Sequence, residues 1–211
     1  MQDVPALLGI LAALTVGAVS PGPSFVVVAR TAVSSSRTDG LAAALGMGVG
    51  GLAFAVAALL GLHGLVLAVP SLHLVFKVAG GLYLAYLGLR IWLSARQPLT
   101  LIAPSSRAGS TTATRSVLLG FTTQVSNPKT AIVYAGVFAA FLPTAPTLAF
   151  NLAVLALVFF IEAGWYALVA LALSSERPRG AYLRYKVWVD RAAGGVMIAL
   201  GFKLVASVHR P

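Results

Sequence analysis

The sequence has no cysteine and very little charge, with five acidic residues and only 9% charged positions in 211. The first lack excludes disulfides, thiol redox chemistry and cysteine-type zinc sites. The second excludes an ordinary soluble domain, which carries roughly 25% charged residues. Acid is so scarce that no carboxylate pair remains for hydrolysis. Asp3, Asp39, Glu176 and Asp190 fall in expected tails or connections, and only Glu162 has apolar residues on both sides. There is no Ser/His/acid set, and no Gly-rich segment ends in Lys-Ser/Thr. The chain is therefore expected not to be an enzyme, to need no cofactor and to hold no metal. His63 and His73, ten residues apart with no acid near, read as solvated loop residues.

What the sequence has in quantity is apolar length. Uncharged runs cover 4–29, 40–76 and 130–161, and about 20 apolar residues cross a bilayer core once. The expectation is an all-α integral membrane protein with six spans, at 5–29, 41–62, 74–94, 117–142, 147–173 and 191–208. The first stretch has no basic n-region and stays apolar past Ala18-Val19-Ser20, so it reads as a retained helix, not a cleaved leader. Trp92, Trp165, Trp188, Tyr83 and Tyr86 read as interface anchors or packing residues.

The net charge of +10 reads as an orientation signal and an attraction to anionic lipid, with no nucleic-acid partner. Eleven Lys and Arg residues (30, 37, 90, 96, 107, 115, 177, 179, 184, 186 and 191) fall in or beside the odd-numbered connections. The loops at 63–73 and 142–145 have none. The positive-inside rule then puts the odd loops in the cytoplasm and both termini outside.

A Pro/Gly/Ser/Thr-rich segment at 97–115 separates two halves, 1–96 and 116–211, that echo each other. Lys77-Val78-Ala79-Gly80-Gly81 is matched by Arg191-Ala192-Ala193-Gly194-Gly195, and Leu87-Gly88-Leu89-Arg90 by Leu200-Gly201-Phe202-Lys203. Ser20-Pro21-Gly22-Pro23 stands against Ser126-Asn127-Pro128-Lys129. With three spans in each half, the second half is inverted relative to the first, a plan common among secondary transporters. The whole is one transporter domain made of two inverted three-helix repeats and a cytoplasmic linker.

Both matched tetrapeptides interrupt their helix at mid-membrane, so helices 1 and 4 are expected to be broken. Proline removes a backbone donor and clashes with the preceding turn. Backbone freed in this way survives in lipid only when buried in protein or lining a watery cavity. Ser20, Pro21, Gly22, Pro23 and Ser24 at the first break, and Gln124, Asn127, Pro128 and Lys129 at the second, are the candidate substrate-binding residues. Helix ends at such breaks suit an anionic carboxylate. Lys129 and Glu162 are the two charges expected deep in the membrane, where an ionisable group is a functional candidate by default. Pairing them buries both economically. Glu162 otherwise carries a coupling proton or meets a substrate ammonium, and the sequence leaves these roles open.

Ser20-Pro21-Gly22-Pro23, Leu45-Gly46-Met47-Gly48-Val49-Gly50, the stretch from Lys77-Val78-Ala79-Gly80-Gly81 to Leu87-Gly88, and Gly120-Phe121 followed by Asn127-Pro128-Lys129 resemble the LysE/RhtB amino-acid exporters. Thr31-Ala32-Val33-Ser34-Ser35-Ser36-Arg37, Leu59-Leu60-Gly61-Leu62-His63 and the Glu162-to-Trp165 region look most like the branch that exports threonine and homoserine-like compounds. The resemblance implies proton-driven export of small amino acids across the bacterial inner membrane, and a homodimer. Many members of that family carry Asp or Asn directly after Pro-Gly-Pro, where this chain has Ser24, so the group that meets the substrate amine is expected elsewhere. The readings that compete with amino-acid export are another small solute or ion on the same scaffold, and a non-transporting membrane subunit.

Overall fold

The computed structural model describes residues 3–68, 72–97, 112–143 and 146–206. Most of the expected linker at 97–115, and the side chains of His63, His73 and Lys77, lie outside the described part. Eight helices make up the described residues, with no strand: α1 Asp3–Val19, α2 Pro23–Ser34, α3 Arg37–Ala68, α4 Leu72–Ser94, α5 Ala113–Val125, α6 Pro128–Phe141, α7 Leu148–Leu173 and α8 Glu176–Ala206. Among these residues α3 (over Arg37–Gly61) and α7 are each long and apolar enough to cross a membrane, and α1 with α2 forms a third, bent candidate. Shorter apolar helices run over Val78–Ser94 and Pro128–Phe141.

The first and fourth expected helices are each split in two. α1 and α2 meet at 56° across Ser20-Pro21-Gly22. α2 opens with Pro23, whose missing N–H is no loss in a first turn, after Gly22 in an extended conformation. α5 ends at Val125, and α6 opens with Pro128 behind Asn127, whose side chain accepts from the Lys129 N–H at 3.0 Å. The sixth helix differs from expectation at its start. α8 begins at Glu176, so the basic stretch before Arg191 is helical and not an open connection. Pro178 sits in its first turn, where proline is tolerated, and no later breaker stops the helix.

α3 packs against α5 on one side and α7 on the other, α4 packs along α8, and α1 lies against α6, α7 and α8. Glycines set the closest approaches. A methyl group built on Gly46 would lie 2.0 Å from the Val117 carbonyl oxygen, and one on Gly120 would lie 2.0 Å from that of Ala43. Backbone therefore touches backbone between α3 and α5, as close packing in lipid favours. In the α4–α8 pair, Gly88 meets Gly194 and Gly201 meets Gly81.

The core forms two apolar clusters. One gathers Ile10 and Leu14 of α1, Ala55 and Leu59 of α3, Val133 to Phe138 of α6, and Val154 and Val158 of α7. The other gathers Phe25 and Val28 of α2, Ala43 and Met47 of α3, and Tyr166 to Leu173 of α7. Along α3 the change from one cluster to the other falls at Gly50-Gly51, and along α7 it falls at Glu162. By helical rise Glu162 is about 21 Å from one end of α7 and about 17 Å from the other.

The second cluster lies toward the basic end of the molecule. There Ser36 and Asp39 cap the start of α3, Asp39 accepts from the Ser116 hydroxyl of α5 at 3.2 Å, and Arg37 donates to Ser174 after α7 at 3.2 Å. Lys186 of α8 is buried; it pairs with Asp190 at 2.7 Å and also donates to the Ala95 carbonyl. Asp190→Ala is expected to cost about 1–3 kcal/mol, because it strips a partner from a buried cation. Thermal unfolding in detergent reads that loss. The double change Lys186→Met with Asp190→Leu should recover most of it, since apolar residues of similar size replace a buried pair well.

Candidate functional site

Between the two apolar clusters lies a layer of buried polar side chains: Ser20, Ser24, Gln124, Asn127, Thr130 and Glu162, with Lys129 partly buried beside them. Its construction begins with the two prolines of the first break. Pro21 has no N–H, so the carbonyl of Gly17, four residues back, loses its helical donor. The Lys129 ammonium replaces it, donating to the Gly17 carbonyl at 3.1 Å and to the Ser20 carbonyl as well. The lysine stem reaches there past Gly22, where a methyl group would lie 3.2 Å from Cδ. A residue of the second break thus satisfies the backbone opened at the first.

The two breaks are joined a second time through side chains. Asn127 Nδ2 donates to Ser24 Oγ at 2.9 Å, and Ser24 Oγ donates to Gln124 Oε1 at 2.7 Å. Gln124 is fully buried and lies beside Glu162, with its Nε2 left without a partner. Glu162, 4% exposed, accepts from the Tyr134 hydroxyl on Oε1 at 3.0 Å, while Oε2 has no partner. Tyr166 lies beside Ser24 and Glu162. Two glycines of α3 make room for this layer. A methyl group on Gly50 would lie 2.6 Å from Gln124 Cβ, and one on Gly51 would lie 2.9 Å from both Glu162 Cγ and the Tyr134 hydroxyl.

Lys129 and Glu162 line one cavity, together with Leu14, Gly17, Gly22, Tyr134 and Tyr166. The direct salt bridge anticipated between them does not form: among the described residues Lys186–Asp190 is the only one. The ammonium has gone to carbonyls and the carboxylate to a phenol. The cavity encloses about 20 Å³, room for about one water molecule. Ligand pockets typically enclose roughly 300 Å³ or more, so this cavity as it stands is too small for an amino acid.

Residues 15–208 match the family model of the LysE type translocators. The chain belongs to the LysE family. Among LysE-type relatives, the threonine efflux protein of Salmonella typhi is 33% identical over 192 residues, covering 91% of this chain and 93% of the relative. The threonine efflux protein of Escherichia coli (strain K12) is 32% identical over the same spans. An uncharacterized membrane protein of Haemophilus influenzae is 27% identical over 190 residues, 90% of each chain. No solved structure matches.

In this LysE chain the sequence-derived candidates divide into three groups. Ser24, Gln124, Asn127 and Lys129 converge in one hydrogen-bonded cluster with Glu162 next to it. Pro21, Gly22, Pro23 and Pro128 act through the backbone, by opening α1 and starting α2 and α6. Ser20 is buried with its hydroxyl unpartnered, and its carbonyl holds Lys129. Sequence reasoning passed over Tyr134, Tyr166, Gly50 and Gly51. Tyr166 stands four residues after Glu162, hence on the same helix face, and that spacing was the available signal. Tyr134 and the α3 glycines carry no comparable sign, since their partners are distant in sequence.

Proposed function

We propose that the chain exports amino acids, threonine or a related small amino acid, across the bacterial inner membrane in exchange for protons. The observation that carries the reading is the buried cavity at the junction of two broken helices, lined by one cation and one acid. A zwitterion needs one partner for each end and a dry site in which those partners count. The threonine efflux relatives support the substrate class. In this reading the chain has six spans, with α1–α2 and α5–α6 each forming one broken span. The two halves form inverted repeats, and the termini lie outside.

Two observations support the architecture. The glycine contacts between α4 and α8 are reciprocal, Gly88 with Gly194 and Gly201 with Gly81, as a two-fold relation between the halves requires within one residue. The basic residues Arg30, Arg37 and Arg115 gather toward the Ser36–Asp39–Ser116 end, which the positive-inside rule assigns to the cytoplasm.

The substrate carboxylate is held by Lys129 and by the starts of α2 and α6. Glu162 meets the ammonium or carries the proton. The experiment is efflux of preloaded labelled threonine, serine, homoserine and lysine from cells expressing the protein, with and without a protonophore. Selective efflux that collapses with the protonophore supports the reading, whereas inserted protein that releases none of the panel overturns it. Glu162→Gln is expected to lower efflux at least about 10-fold and to remove its dependence on external pH. Efflux with wild-type rate and pH dependence rules the acid out as a proton carrier.

A further inference from the structure

We infer that the carbonyl-lined end of α1, with Glu162 facing the same cavity, is the subsite for the substrate's ammonium group, and that Lys129 fills it as a tethered stand-in when the site is empty. The inference rests on the amino-acid reading above and adds how the site selects its substrate.

The end of α1 attracts cations for two reasons. The last carbonyls of a helix carry roughly half a negative charge between them, and Pro21 removes the donor that Gly17 would otherwise have met. A primary ammonium occupies this end now, bonded to the Gly17 and Ser20 carbonyls. It belongs to Lys129, which has no acidic partner within 4.0 Å among the described residues. An amino-acid ammonium carries the same charge and the same three donors. Glu162 lines the same cavity beside Gln124, and its Oε2, buried and without a partner within 3.5 Å, leaves the carboxylate with acceptor capacity.

With about 20 Å³ free, the cavity does not hold an amino acid beside the lysine ammonium, which already takes the carbonyl end of α1. One replaces the other. Displaced Lys129 becomes a buried cation without its carbonyls, a costly state unless an anion joins it. The substrate's own carboxylate is that anion. An amine lacking a carboxylate leaves the lysine stranded, and an acid lacking an amine leaves nothing to take the lysine's place at α1. The exchange therefore selects molecules bearing both groups.

The test is ligand binding to the purified full-length protein in detergent, followed by calorimetry, with three probes: threonine, the amino alcohol made by reducing its carboxylate, and the hydroxy acid lacking its amine. Wild-type protein should bind threonine and hold each of the other two at least about 30-fold more weakly, since each leaves a buried charged or polar group unpaired. In Lys129→Gln the carbonyl end is no longer held by a cation. Its affinity for the amino alcohol should rise at least about 10-fold over wild type, while that for threonine falls. Lys129→Arg should keep the wild-type order. Amino alcohol bound as tightly as threonine by the wild type, a result that needs no variant, overturns the exchange, as does an unchanged ligand order in a folded Lys129→Gln. No binding of threonine to folded wild type overturns the exchange, and together with no efflux of the labelled panel it overturns the amino-acid reading as well.

Discussion

Lys129→Ala is expected to abolish threonine export from protein that still reaches the membrane. The change removes two charge-assisted hydrogen bonds within the closed protein and, in the proposed cycle, the partner of the substrate carboxylate. Truncating one partner of a buried hydrogen-bonded charge pair costs about 2–5 kcal/mol, so losing the carboxylate's cation corresponds to a reduction of at least about 30-fold. Initial efflux rates, normalised to the amount of inserted protein, measure it. Export at the wild-type rate would remove Lys129 from the transport chemistry and leave it a prop for the α1 break. The control for that prop is thermal unfolding, because an alanine here leaves the Gly17 and Ser20 carbonyls without their donor and lowers stability as well.

A comparably large effect is expected at a glycine of the α3–α5 contact. Gly120→Leu should prevent the protein from accumulating in folded form. Even the first carbon of a side chain at Gly120 would stand 2.0 Å from the Ala43 carbonyl oxygen, and the obstacle is backbone on both helices. No rotamer change relieves it, so α5 must move away from α3. Overpacking a core typically costs about 1–3 kcal/mol when neighbours can adjust, and here they cannot. Gly46→Leu, which meets Val117 backbone in the same way, should behave alike. Gly61, with nothing within 4 Å, is the internal comparison: Gly61→Ala should be neutral or slightly stabilising, since alanine favours helix by about 1 kcal/mol. Fluorescence-detected gel filtration separates these outcomes. Folded Gly120→Leu at wild-type yield would show that the two helices do not meet as described.

The helices themselves were legible in the sequence because apolar length and proline each have a direct physical consequence. The run 147–173 had to be a helix to satisfy its backbone in lipid, and α7 spans Leu148–Leu173. Pro21 and Pro128 had to interrupt theirs, and both did. The convergence of Ser24, Gln124, Asn127 and Lys129 followed from placing two breaks at one depth. That Lys129 bonds to backbone carbonyls was not legible, because charge counting considers side chains alone. The group that wins the ammonium is a carbonyl, present at every residue and made available here only by Pro21. The start of α8 was misjudged for a related reason: a basic stretch signals a water-facing segment but says nothing against helix. Which glycine meets which backbone depends on how helices cross, and no local pattern encodes that.

The seam between α3 and α5 also limits how the closed cavity opens. Packed helices slide past one another when side chains hop between neighbouring grooves. At Gly46 and Gly120 there is no side chain to hop, and a slip of one residue would bring Leu45 or Met47, or Leu119 or Phe121, into space that does not admit a methyl group. α3 and α5 therefore travel as one rigid strut. The freedom left lies at Ser20-Pro21-Gly22 and Ser126-Asn127, where the helical ladder is already cut. In the proposed transport cycle these two short joints are where α1 and α6 would turn, with the seam as their fixed frame.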